Sequence, residues 1–279
     1  ALIAGLASDQ HRAFAISLHS SVTPLGMAIA MVAAPPVIHL YGWRYLWWIT
    51  GIITILFMLF SLVVFRKIDA KTLKNKNPFW SNIKKTTSTL GPWLISICFM
   101  TYTFQWYAIM VWLPTFAIEE RGLDLKFAAA LAAAAVSINI FGNLFGAWLV
   151  HRGTTRWLLI SVGTFMMGIL SLFIFPDILP DVIRFGLVLA FSFLGALHPP
   201  AIMASVPIHS PSTAQLGSTS GIVYQGSQIG LLLGPPAVAW FVTLTETWAQ
   251  TGYFLFIGTI INLTLAQWMR TLERNNSIE

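Results

Sequence analysis

Charge is what this chain of 279 residues has least of: Asp, Glu, Lys and Arg together make up 9% of it, against roughly 25% in a soluble domain. Hydrophobic residues make up 56%, and the mean hydropathy is +0.73. That composition excludes a soluble globular domain and describes an integral membrane protein. Cysteine is nearly absent as well. Cys98 stands alone in an apolar run, which rules out an intrachain disulfide and a thiolate metal cluster and leaves packing as its expected role. The chain has no HExxH, no GxSxG, no phosphate-binding glycine loop and no metal-spaced Cys/His cluster, so neither an enzyme nor a bound cofactor or metal is expected. A net charge of +6 would suggest nucleic acid in a soluble protein. Here the basic residues sit in loops and form no basic face with interleaved aromatics, which argues against nucleic-acid binding.

What the chain does contain is long uncharged runs. Eight of them are long enough for a bilayer core of roughly 30 Å at 1.5 Å per helical residue: 13–40, 45–65, 90–118, 127–150, 157–175, 185–206, 216–244 and 248–269. All 16 cations and all 10 acids fall outside these runs. Taken alternately, the loops on one side carry Arg12, Arg66, Lys67, Lys71, Lys74, Lys76, Lys84, Lys85, Arg152, Arg156, Arg270 and Arg274, and those on the other only Arg44, Arg121, Lys126 and Arg184. The bias assigns the 66–89 loop and the C-terminus to the cytoplasm, as expected for an inner (plasma) membrane protein. The opening ALIAGLASDQHR has no initiator Met and no positively charged stretch ahead of its short apolar run. It is expected to be the tail of a helix whose beginning is missing rather than a signal peptide.

The first and seventh runs share a pattern. Gly26, Ala30, Ala34, Pro35 and Pro36 are answered by Gly226, Gly230, Gly234, Pro235 and Pro236, and Ser20 by Ser220. A small residue at every fourth position makes one helical stripe where two backbones can approach closely. The proline pair that ends each stripe is expected to bend or break the helix. A repeat at this spacing makes the duplicated unit six helices. Residues 90–279 then form one complete half, 66–89 a basic linker, and 1–65 the last two helices of another half. Within the linker, KNPFWSNIKK reads as an amphipathic segment at the membrane surface.

These features resemble the major facilitator superfamily, and the local motifs agree. GxxxAxxxAPP followed by Gly42, Trp43 and Arg44 is similar to the family's fifth-helix motif. Trp112, Leu113, Pro114 and Thr115 resemble the end of its seventh helix. GNLFGAWLVHRGTTR, from Gly142 to Arg156, resembles its eighth-to-ninth loop, with His151 where the family commonly has Asp. QWYAIMVWLPTFAIEERGLDL together with NIFGNLFGAWLVHRG is most similar to the cyanate and nitroimidazole permease branch. The resemblance implies an all-α membrane fold containing helices 5 to 12 of twelve, with no enzymatic activity. The plainest apolar runs, 45–65, 157–175 and the last, are every third helix and are expected to face lipid.

Polar groups inside the runs mark the candidate site. Thr101, Tyr102, Thr103, Gln105, Trp106 and Tyr107 crowd the middle of one helix. Tyr102 and Gln105 are candidates to hydrogen-bond a solute and Trp106 to pack on it, the alternative being contacts between helices. His198, followed by Pro199 and Pro200, marks an irregular helix with unpaired carbonyls. It is either a titratable cavity group that donates to substrate or carries a coupling proton, or a neutral ring bonded to a neighbouring helix. His19, with Ser20 and Thr23, is a weaker candidate of the same kind. Asn139 with Asn143, and Tyr224 with Gln228, lie one turn apart on glycine-striped helices. They are either solute contacts or, the better reading, interhelical hydrogen bonds. The expectation is a monomeric secondary transporter for a small polar or anionic solute, with a coupling proton among its partners and the lipid bilayer around it. Proton-coupled efflux, a nontransporting sensor or assembly subunit, and a channel are the rivals.

Overall fold

The computed structural model describes residues 9–65 and 79–276, with the side chains of the first helix described at Val22 and from Leu25 onward. These residues form helices α1 (Asp9–Tyr41), α2 (Trp43–Phe65), α3 (Phe79–Thr87), α4 (Leu90–Glu119), α5 (Leu125–His151), α6 (Arg156–Ile174), α7 (Asp181–Gly195), α8 (His198–His209), α9 (Leu216–Thr245) and α10 (Thr251–Asn276). Among the described residues seven segments are long and apolar enough to cross a bilayer, with α7 and α8 forming one of them. The shorter apolar run Leu25–Tyr41 lies in α1, within the first expected span.

Local chemistry sets the helix ends. Gly42 takes φ +86° between α1 and α2 while its N–H donates to Ile38 O at 2.9 Å, a left-handed stop that costs a glycine little. The Asp124 side chain accepts from the Phe127 N–H at 2.9 Å and caps α5.

α4 is the centre of the bundle, and α9 lies along it through the glycine stripe. A Cβ added at Gly226 would fall 2.5 Å from Ser96 O, at Gly230 2.2 Å from Met100 O, and at Gly234 2.3 Å from Phe104 O. Only glycine permits that approach. Ser96 Oγ donates to Ile222 O at 2.9 Å and Thr103 Oγ1 to Ser227 O at 2.9 Å, stitching the same seam. Gly142 and Gly146 serve α5 in the same way, against Phe193 O and the Leu197–Pro200 turn. α1 packs chiefly on α5 and also touches α8.

Two expectations are narrowed. The Pro35–Pro36 and Pro235–Pro236 pairs do not break their helices, since α1 and α9 run through them without interruption. The break falls at Ala196–Leu197, and Pro199 and Pro200 lie in the first turn of α8, where a missing N–H is tolerated. Exposure also departs from the every-third-helix rule. The apolar window of α2 buries nothing, but that of α9 is only 17% buried against 44% for α6. α6 is covered by α7 and α10, whereas α9 leaves Ile229, Leu232, Leu233, Trp240 and Leu244 exposed.

The charges at the two ends of the bundle do more than set topology. Arg121 donates to Asp181 at 2.7 Å and to Asp177 at 2.8 Å. Arg184, fully buried, donates to Asp177 at 3.1 Å and to the carbonyls of Pro176 and Leu179 at 3.0 Å. At the opposite end Glu273 accepts from Arg156 at 3.4 Å and lies 3.3 Å from His209 Nε2.

Candidate functional site

A cavity of about 160 Å³ lies where α1, α4, α5, α8 and α9 meet. α4 supplies its main wall with Phe99, Tyr102, Thr103, Trp106 and Tyr107. Their spacing of 3, 1, 3 and 1 is that of a single helical face. α5 adds Asn139 and Asn143, α8 adds Pro199 and Met203, α9 adds Tyr224, Ser227 and Gln228, and α1 adds Val22. Among the described residues no charged side chain lines it.

The wall is held by an ordered relay of hydrogen bonds. Asn139 Nδ2 donates to Ser192 O at 2.9 Å and to the Tyr102 hydroxyl at 3.4 Å. That fixes which way the Asn139 amide points and leaves the Tyr102 proton available to another acceptor. Asn143 Nδ2 donates in turn to Asn139 Oδ1 at 2.8 Å and to Asn139 O at 3.0 Å. Trp106 Nε1 donates to Ser192 Oγ at 3.0 Å, so the indole offers its ring rather than its N–H. Tyr102 is stacked on Phe99, with centroids 6.0 Å apart, and on His198, 4.8 Å apart.

Five of the eight sequence candidates therefore meet at the cavity: Tyr102, Trp106, Asn139, Tyr224 and Gln228. Two do not. Gln105 lies about 130° around α4 from the centre of the lining face at 100° per residue. Its Nε2 donates to Thr101 O at 3.3 Å and its Oε1 accepts from Thr259 of α10 at 3.2 Å. It is a helix-packing group on the opposite side of α4. His198 stands behind the wall. Pro199 has no N–H to offer Gly195 O, and His198 Nδ1 donates to that carbonyl at 2.9 Å instead. Because a carbonyl only accepts, Nδ1 carries the proton, and Nε2 accepts from Thr164 Oγ1 at 2.7 Å. Both ring nitrogens are thus engaged away from the cavity. The eighth candidate, His19, and its neighbours Ser20 and Thr23 have side chains outside those described.

Phe99, Met203 and Ser227 were not singled out from the sequence, and Tyr107 and Asn143 were noted only beside their neighbours. Phe99, Thr103 and Tyr107 recur at every fourth position of α4, beside Tyr102 and Trp106, a signal that was present in the spacing.

The Major Facilitator Superfamily family model matches residues 1–215. The chain belongs to the major facilitator superfamily. Among curated relatives, the "Probable sulfoacetate transporter SauU" of Cupriavidus necator is 20% identical over 277 residues, covering 90% of this chain and 64% of that protein. Monocarboxylate transporter 12-B of Danio rerio is 27% identical over 176 residues, covering 59% of this chain and 35% of that protein. The chain thus spans less than two thirds of either relative. The crystal structure of the E. coli fucose:proton symporter FucP matches with a TM-score of 0.70 at 15% identity, over 96% of this chain and 71% of that one. At that identity the likeness establishes the fold. Family and fold together make this a multi-pass membrane protein of a transporter family and point away from catalysis.

Proposed function

We propose that the cavity is the solute site of a secondary transporter for small carboxylates, worked by alternating access between two six-helix halves. The observation that carries the reading is the cavity itself, a set of hydroxyl and amide donors on an aromatic wall between α1 and the helices from α4 onward. Its 160 Å³ is close to the ~150 Å³ that holds a benzene-sized molecule and below the ~300 Å³ of drug-sized sites, so the solute has on the order of six to ten heavy atoms. Hydroxyl donors on Tyr102 and Tyr107 suit a carboxylate, because a hydrogen bond to an ionised acceptor is roughly twice as strong as a neutral one. Sulfoacetate and monocarboxylates, named in two relatives, belong to that class. α1 carries the small-residue stripe of the first half and packs on α5 and α8 of the second. In this reading the halves rock along that seam while the relay from Ser192 to Asn143 keeps the second-half wall rigid.

The test is uptake by proteoliposomes of radiolabelled lactate against its neutral analogue of equal size, lactamide. The reading expects lactate to be taken up at least tenfold faster. Equal uptake of both, or of neither, contradicts it.

A further inference from the structure

α3 has its amphipathic faces reversed relative to a helix on a soluble protein. Its buried residues are polar: Asn82 is 7% exposed and Thr86 fully buried. Both are latched to the start of α9, where Gln215 Nε2 donates to Asn82 Oδ1 at 2.8 Å and the Thr86 and Ser218 hydroxyls lie 2.8 Å apart. Phe79 and Trp80 are 69% and 76% exposed and meet edge to face, with ring centroids 5.4 Å apart. Lys84 and Lys85 are exposed beside them.

The position of α3 says what covers those rings. Only Ser88 and Thr89 separate α3 from α4, a bilayer-length helix, and Trp93 on the first turn of α4 reaches back to donate to Thr87 O at 2.9 Å. Trp93 is itself 45% exposed. Three exposed aromatic rings at the entry of a span are at the depth where Trp and Phe sit among lipid headgroups. The charge is complementary to anionic lipid, since residues 66–85 hold seven cations and one acid, Asp69.

We propose that α3 is a lipid-binding surface, in which Phe79 and Trp80 enter the headgroup layer and Lys84 and Lys85 bind the headgroups of anionic phospholipid. The two side-chain latches pass that contact to the start of α9. Tyr224 and Gln228 of the cavity lie on the same helix, about 9 Å and 15 Å beyond Ser218 at 1.5 Å per residue. The charge of the membrane surface thereby bears on the helix that carries part of the cavity wall.

The test is hydrogen–deuterium exchange of the purified protein in nanodiscs of phosphatidylcholine alone and of phosphatidylcholine with 30% phosphatidylglycerol. Amides of residues 79–87 are expected to exchange at least threefold more slowly with the anionic lipid, while those at the centre of α4 stay the same. In Lys84→Gln/Lys85→Gln, a surface pair whose loss spares the packing, the lipid difference is expected to vanish. Equal exchange of residues 79–87 in the two lipids overturns the proposal. A lipid difference that survives in the double variant overturns it too, by moving the binding off α3.

Discussion

The imidazole of His198 lies flat against the phenol ring of Tyr102, with centroids 4.8 Å apart and planes 10° apart. One ring lines the cavity and the other backs it. Gly195 O and Thr164 hold the backing ring by its two nitrogens, so both nitrogens are engaged away from the cavity and the ring meets Tyr102 by its face. His198→Phe, which keeps a flat ring but deletes both hydrogen bonds, is expected to lower the melting temperature. The pH profile of solute binding between about 5.5 and 8 should be the same in both proteins, as His198 is not among the described residues that line the cavity. Calorimetry of both proteins across that range checks this, and a flattened profile in the variant would restore the proton-carrier role.

Tyr102 and Gln105 separate binding from packing. Tyr102→Phe removes a hydroxyl that accepts from Asn139 and keeps its own proton free of acceptors among the described residues, and is expected to weaken solute binding by about 1–2 kcal/mol, roughly 5–30-fold, with expression unchanged. Gln105→Ala deletes the bond to Thr259 and is expected to cost about 1–2 kcal/mol of stability while binding stays within about twofold. Paired titration and thermal-melt measurements decide between the roles. Reversed outcomes would place Gln105 in the cavity.

Two glycines on α9 differ in what surrounds them. A Cβ at Gly230 would lie 2.2 Å from Met100 O and 2.3 Å from Thr103 Oγ1, whereas Gly221 has nothing within 4 Å. Gly230→Ala is expected to destabilise by about 1–3 kcal/mol or more through overpacking. Gly221→Ala is expected to stabilise by up to about 1 kcal/mol through helix propensity. Melting temperatures moving in the same direction would mean that α9 does not seat on α4 as described.

The charged cluster joining α4 to the loop before α7 should respond to acid. Hydrogen bonds from Arg184 and Arg121 hold the Asp177 carboxyl below its ordinary value of 3.8. A carboxyl depressed in the folded state contributes stability above its unfolded value, and that stability is lost as pH falls through the folded value. The melting temperature should therefore owe nothing to this group's titration from pH 8 to about 5, and fall below about pH 4. Asp177→Asn should show a smaller acid drop. An equal drop in both proteins would mean that the cluster is not formed.

The spans and the close-packing stripe on α9 could be read directly from the chain, because uncharged length and a stripe at every fourth residue have few other physical meanings, whereas α4 as the partner of that stripe could not. The polar centre of α4 was also visible, but not which of its residues face inward. Tyr102 and Gln105 are three apart and look like neighbours, yet the lining face is set by what covers each side. Thr259 of α10 claims Gln105 from 154 positions away. Arg184 gave no sign of burial either, since its partners are carbonyls and carboxylates of a loop that only the fold brings around it. The role of His198 depended on one carbonyl. The missing Pro199 N–H was legible, but not that the preceding imidazole would fill the gap itself.

The most direct test of the account asks whether a solute occupies this cavity. Gln228 lines it and is exposed, and the lone native cysteine, Cys98, is buried, so Gln228→Cys offers one reactive thiol. Its modification by a small methanethiosulfonate reagent in proteoliposomes should slow at least fivefold in saturating lactate and not in lactamide. Unchanged modification while lactate uptake continues would contradict the account, because the solute would then be crossing elsewhere.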